Sequence, residues 1–147
     1  MISDTQLAYL AGLLDADGSI DLRFRTDTEA TLVLRAQVYN TDEELIDWLC
    51  LTFGGKKHKA GRSDQGNHWK QEFTWYLNGD RAVEMLAGIL PYMHIKRARA
   101  ALAIEAWEKR MPTPIADRRK PLPEGVAELR KGYVTQMREM NKKGRAS

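Results

Sequence analysis

The sequence predicts an α+β fold built on an antiparallel sheet, and three observations point there. Apolar residues change from a helical spacing to strict alternation and back again along the chain. Hydroxyl-led capping boxes stand immediately before the helical stretches. The 147 residues, 43% of them apolar, suffice for one core and are too apolar for a disordered chain. One domain covering 1–147 is expected, with a core at about 5–110, a Pro-rich connector at 111–123 and a basic C-terminal helix at 124–143.

Ser3-Asp4-Thr5-Gln6 is the first capping box, and it opens an apolar run from Leu7 to Asp15 that Gly18 closes. Leu7, Leu10, Leu13 and Leu14 give this helix one greasy side, while Ala8, Ala11, Gly12 and Asp15 form a second stripe at spacings of three and four. A helix so apolar all round is expected to be buried on nearly all sides. Ile20, Leu22 and Phe24 then alternate with Asp21, Arg23 and Arg25, as in a half-buried strand. After a polar turn at Thr26–Ala30, Leu32, Leu34, Ala36 and Val38 repeat the pattern, completing a hairpin.

A second capping box, Thr41 to Glu44, opens a helix ending at Gly54-Gly55. Lys56 to Gly66 reads as a basic edge strand running into a loop, and His68 to Leu77 as a further alternating strand. Asp80 is expected to cap a helix that Pro91 ends, followed by a helix from about Ile95 to Lys109. The order is α-β-β-α-β-β-α-α. Four prolines between Pro112 and Pro123 forbid regular structure before the last helix, which reads as an appendage.

The longest apolar stretch is far shorter than the roughly 18 to 20 residues of a membrane span, so none is expected. Met1-Ile2-Ser3-Asp4 lacks the basic region of a secretory signal, and the lone Cys50 has no disulfide partner. An intracellular setting is expected, with cytoplasm, nucleoid and organelle not distinguished. The net charge of +3 hides an asymmetry: residues 1–93 carry 9 basic and 14 acidic side chains, residues 94–147 carry 14 and 6. A basic C-terminal half suits a nucleic-acid partner or, equally, a solvated basic surface.

The sharpest feature is Leu-Ala-Gly-Leu-Leu-Asp-Ala-Asp-Gly at Leu10–Gly18. Two carboxylates at a helix C-terminus oppose the negative pole of its dipole, at a cost of about 0.3–1 kcal/mol each when exposed. A cation would offset this, and carboxylate with free carbonyls is the oxygen set that Mg²⁺ or Ca²⁺ takes. The plainer alternative is turn chemistry, with Gly18 at a positive φ. The small stripe lets a second helix approach backbone to backbone, and the natural partner is its own copy across a two-fold axis. Two Asp17 carboxylates would then meet and could clamp metals for phosphodiester hydrolysis.

This nonapeptide differs at one position from the name motif of the LAGLIDADG homing endonucleases, and Ser19-Ile20 follow as in that family. The resemblance spans roughly residues 5–110. It implies the αββαββα fold, an antiparallel DNA-binding sheet, a single-motif homodimer and Mg²⁺-dependent cleavage of double-stranded DNA, with Ca²⁺ or Mn²⁺ able to replace Mg²⁺ in binding and no small-molecule cofactor. Asp17 would be the metal ligand beside the carbonyl of Ala16, and Asp15 would cap the partner helix at an interface formed with Ala8, Ala11 and Gly12. Asn40 would order water, and Lys96 would stand near the scissile phosphates. Read alone, Asn40 is equally a turn residue and Lys96 equally a C-cap or solvated lysine. The basic residue that the family sometimes has beyond Asn40 is missing, since Asp42, Glu43 and Glu44 stand there.

On the strands, Arg23, Arg25, Arg35, Gln37, His68, Lys70, Glu72 and Thr74 are expected on one polar face, with donors suited to guanine and adenine edges. Val33 and Tyr39 on that face would meet thymine methyls or sugars, and Lys56, Lys57, Lys59 and Arg62 would hold phosphates. His58, His68 and His94 are too scattered for a histidine metal site. Cys50 and the four tryptophans read as core, and no P-loop or dinucleotide fingerprint is present. The rival reading is a cleavage-inactive protein of the same fold, an RNA maturase or a DNA-binding regulator. Retention of both Asp15 and Asp17 favours the nuclease.

Overall fold

The computed structural model describes residues 1–25, 31–60, 71–110 and 125–145. The expected turn at Thr26–Ala30, Arg62, His68 and Lys70, and the Pro-rich connector lie outside the described residues. The elements are α1 (Asp4–Asp17), β1 (Gly18–Phe24), β2 (Leu32–Asn40), α2 (Glu43–Phe53), β3 (Lys56–Lys59), β4 (Phe73–Asn78), α3 (Gly79–Ile89), α4 (Arg97–Glu108) and α5 (Val126–Arg145), with a 3₁₀ turn at Leu90–Tyr92. This is the predicted order. None of the described helices is long and apolar enough to cross a membrane.

The four strands form an antiparallel sheet in the order β1-β2-β4-β3. Alternation assigns the faces. Ile20, Leu22, Leu34, Ala36, Val38, Trp75 and Leu77 point inward and are buried with Leu10 and Leu14 of α1, Ile46 and Leu49 of α2, and Leu86 and Ile89 of α3. At about 25 cal/mol per Å² of apolar surface, this single layer of helix-to-sheet contact is the main stabilising contribution. The opposite sheet face carries Ser19, Asp21, Arg23, Val33, Arg35, Gln37, Tyr39, Thr74 and Tyr76.

Several local expectations need correcting. The helix α5 is no appendage, because Tyr133, Val134 and Met137 belong to the core and Asn141 Nδ2 donates to the Ile20 carbonyl on the β1 edge at 3.2 Å. The second helix is capped one residue later than expected, by Asp42, whose carboxylate accepts from Leu45 N–H at 3.2 Å. Asp80 does not cap α3, because the helix already begins at Gly79. Its carboxylate instead accepts from Trp107 Nε1 at 2.7 Å. Trp75 is core, its Nε1 donating to Gly54 O at 2.7 Å, whereas Trp48, Trp107 and Cys50 are only half-buried. Burial and then the nearby Asp47 carboxylate push the Cys50 thiol above its ordinary value.

Candidate active site

The motif is not a turn. The helix α1 runs to Asp17 and passes straight into β1, with Gly18 at φ −99° and ψ 177°, an extended backbone that any residue can adopt. Glycine is required there for space. A Cβ would lie 2.5 Å from Leu14 Cδ1 and 2.8 Å from the Gln37 carbonyl oxygen, so a side chain would force the helix off the hairpin. The close approach fixes the last turn of α1 against the first strands, and with it the place of Asp17.

The two carboxylates of the motif have opposite surroundings. Asp15 is 9% exposed, and its carboxylate accepts from the backbone N–H groups of His94 at 2.8 Å and Lys96 at 2.9 Å. Burial works to raise its pKa. The backbone hydrogen bonds, assisted by the Lys96 charge, outweigh it and hold the carboxyl below its ordinary value. Asp15 therefore caps the segment leading into α4 of its own chain, which corrects the expectation that it caps a partner helix. Asp17 is exposed and makes no hydrogen bond among the described residues.

Lys96 completes a reciprocal lock. While Asp15 holds its backbone N–H, the Lys96 ammonium donates to the carbonyls of Leu14 at 3.0 Å and Asp15 at 2.8 Å. The Leu14 carbonyl also accepts from Gly18 N–H, whereas the Asp15 carbonyl belongs to the last turn, where intrahelical donors run out, and a cation there offsets the dipole by about 0.3–1 kcal/mol. The cation that the acidic helix end calls for is thus supplied, in part, from within the chain. Burial and the neighbouring Arg99 lower the Lys96 pKa, while Asp15 and Asp17 act against that shift. Lys96 makes no hydrogen bond to the Ala16 carbonyl, and Ala16 and Asp17 are both exposed, so the next residues along supply a carbonyl oxygen and a carboxylate. That donor pair fits a hard divalent cation. Among the described residues no three His, Cys, Asp or Glu stand together as a metal cluster, so this chain offers part of a coordination shell.

Asn40 ends β2, and Gly18 pairs with Val38, which puts Asn40 and Asp17 at one end of the β1–β2 ladder. Its Oδ1 accepts from Asp42 N–H at 2.8 Å, so the turn reading of this residue holds. Of the expected interface residues, Ala8 and Gly12 are exposed, and a Cβ on Gly12 would meet nothing within 4 Å. Ala11 is fully buried in its own core and cannot face a partner, because the helix turns it about 100° away from Gly12. Tyr9, 50% exposed, stands on the open flank of α1 and packs edge-on against Trp48.

The outward sheet face assembles most of the expected readers in cross-strand rows. Gln37 lies between Ser19 and Tyr76, with Lys56 beyond, and Arg35 lies between Asp21 and Asn78. Gln37 Nε2 donates to Ser19 Oγ at 2.9 Å and to the Tyr39 hydroxyl. Arg25, just past β1, and Glu72, just before β4, are exposed at its margins. Lys57 is a correction. It pairs opposite inward-facing Trp75, and its ammonium binds Glu43 at 2.9 Å and Asp47 at 2.8 Å on α2. Those two hydrogen bonds raise its pKa, and they hold β3 to α2 instead of leaving the charge for phosphate. Lys59, opposite inward-facing Phe73, shares that orientation. His58 was missed and takes a place on the outward face opposite Thr74, a consequence of register that four consecutive polar residues do not reveal.

The fold and the motif together define the class: the chain has the fold of the LAGLIDADG homing endonucleases. It is similar to the homing endonuclease I-CvuI in complex with its target in the presence of calcium, at 19% identity and a TM-score of 0.71, over 93% of this chain and 82% of that one. An archaeal intron-encoded homing endonuclease complexed with DNA matches at 13% identity and a TM-score of 0.57, over 94% and 98% of the two chains. The LAGLIDADG meganuclease I-AabMI bound to uncleaved DNA matches at 18% identity and a TM-score of 0.59, over 84% of this chain and 42% of its own. No family model and no curated protein matches the sequence.

Proposed function

We propose that this protein is a site-specific endonuclease for double-stranded DNA that cuts as a homodimer and depends on a divalent metal. The observation that carries the reading is Asp17: an exposed carboxylate without a hydrogen bond among the described residues, held at a fixed place by the Gly18 contact and the Asp15–Lys96 lock, at the margin of a polar sheet face. The solved proteins of this fold bound to DNA support it. The four-stranded antiparallel sheet offers a strand surface of the kind that some DNA-binding proteins place in the major groove.

The exposed stripe of Thr5, Ala8, Gly12 and Ala16, with Tyr9 beside it, is the surface on which a second copy would pack, bringing two Asp17 carboxylates to the axis. Asp17 and the Ala16 carbonyl would hold Mg²⁺, which supplies Lewis-acid stabilisation of charge on the phosphate and the leaving 3′-oxygen. Lys96 acts as a positioning residue, fixing the carbonyl end of α1 from which Asp17 projects. Asn40, its oxygen committed to the turn, keeps an amide nitrogen to donate to water near the phosphate. Lys56, Gln37, Arg35 and Tyr39 face the DNA, and no covalent enzyme intermediate is involved.

The test is incubation of the full chain with a library of duplex DNA in magnesium, alongside Asp17→Asn and a measurement of solution mass. Cleavage at defined sites by a dimer, with binding but no cutting by Asp17→Asn, is the expected result. Sequence-specific binding without cutting by the unaltered chain would identify a binding module instead. A monomer that cuts both strands would overturn the shared centre.

A further inference from the structure

Two arginines stand on the outward sheet face, and their surroundings differ. Arg23 Nε lies 3.3 Å from the Asp21 carboxylate in an exposed ion pair, and no aromatic ring among the described residues lies under its guanidinium. Arg35 sits on the central strand β2, across from Asn78 of β4. Its Nε donates to Asn78 Oδ1 at 2.9 Å, and its guanidinium carbon lies 4.2 Å from the centre of the Tyr76 ring. Among the described residues neither terminal amino group of Arg35 has a hydrogen-bond partner.

A free surface arginine moves among many rotamers, and ordering it on binding costs affinity. Stacking on an aromatic face and a hydrogen bond at Nε remove most of that freedom before a ligand arrives. What stays open is a rigid pair of N–H donors. In the major groove one base edge matches such a pair, the O6 and N7 acceptors of guanine. Gln37 beside it is bound to Ser19 and Tyr39, so on this part of the face Arg35 is the donor that is both aligned and unspent.

Resting on the endonuclease reading above, we propose that Arg35 is a pre-positioned guanine reader, with Tyr76 and Asn78 as its positioning residues. The target then carries a guanine at the corresponding position of each half-site.

The experiment is selection of bound duplexes from an oligonucleotide library randomised across the contacted region, using the full chain in calcium buffer. The unaltered protein is expected to select guanine at one position repeated across the two-fold. Arg35→Ala removes that preference alone, by roughly 5- to 150-fold as for one bidentate contact, and leaves the other positions intact. Arg35→Gln moves the same position toward adenine, whose N6 and N7 fit a carboxamide. Tyr76→Phe keeps the preference because the ring face remains, whereas Tyr76→Leu and Asn78→Ala weaken it more than they weaken total affinity. An Arg35→Ala profile unchanged in base preference, or weakened equally for every sequence, overturns the proposal and leaves the endonuclease reading standing. If the unaltered chain selects no sequence, both fall.

Discussion

Asp15 and Asp17 are the same residue type, two positions apart on one helix, in regions that use a carboxylate in opposite ways. Asp15 points into the chain and spends its charge on two backbone N–H groups of the α4 approach. Asp17 points out and is bound to nothing among the described residues except through the field of Lys96. About 100° of helical rotation per residue separates them. An acidic helix end is therefore two devices, one that builds the fold and one left available for chemistry, and only burial tells them apart.

The comparison can be broken at each device. The largest effect is expected from Asp17→Asn, which removes the carboxylate proposed to hold the metal: cleavage should fall on the order of a hundredfold or more while the thermal unfolding midpoint stays put. A loss of stability instead would mean that Asp17 is also structural. Gly12→Leu against Ala11→Leu comes next. Gly12 has open space, so leucine there should leave a folded chain that is monomeric in sedimentation and no longer cuts. Ala11 is fully buried, so leucine should overpack the core at about 1–3 kcal/mol, read from denaturant unfolding.

Asp15→Ala leaves two N–H groups at the α4 approach without their acceptor, and about 1–3 kcal/mol of stability should be lost. Its cleavage rate per folded molecule should change far less than that of Asp17→Asn. The smallest effect separates two neighbouring lysines. Lys56→Ala should reduce the salt dependence of DNA binding by about one phosphate's worth of slope. Lys57→Ala should leave that slope alone and loosen β3, detectable as faster amide exchange there, because its charge is spent on Glu43 and Asp47.

How legible these features were in the sequence follows from how local they are. The Ser3–Gln6 box formed as written, Gln6 N–H reaching Ser3 Oγ at 3.1 Å and Ser3 N–H reaching Gln6 Oε1 at 2.9 Å, because it needs four consecutive residues. The β1–β2 hairpin was legible because alternation assigns the face once one side is apolar. In Lys56-Lys57-His58-Lys59 no side is apolar, so the sequence had no parity to offer, and the pairing with β4 decided which lysine joins the outward sheet face. The role of Asp15 was out of reach for another reason: its partners lie 79 and 81 positions away. The basic C-terminal helix looked detached because charge dominates its composition, yet Tyr133, Val134 and Met137 place one side of it in the core.

The sequence by itself determined the elements, their order and the motif that marks a nuclease-type fold, since periodicity and capping act within a few residues. Tertiary structure decided which carboxylate is spent and which is free, that Lys96 serves the helix end, and that Arg35 is the aligned donor on the sheet. Those outcomes depend on groups brought together from distant positions, where hydrogen-bond reach and exclusion of water are set by packing alone.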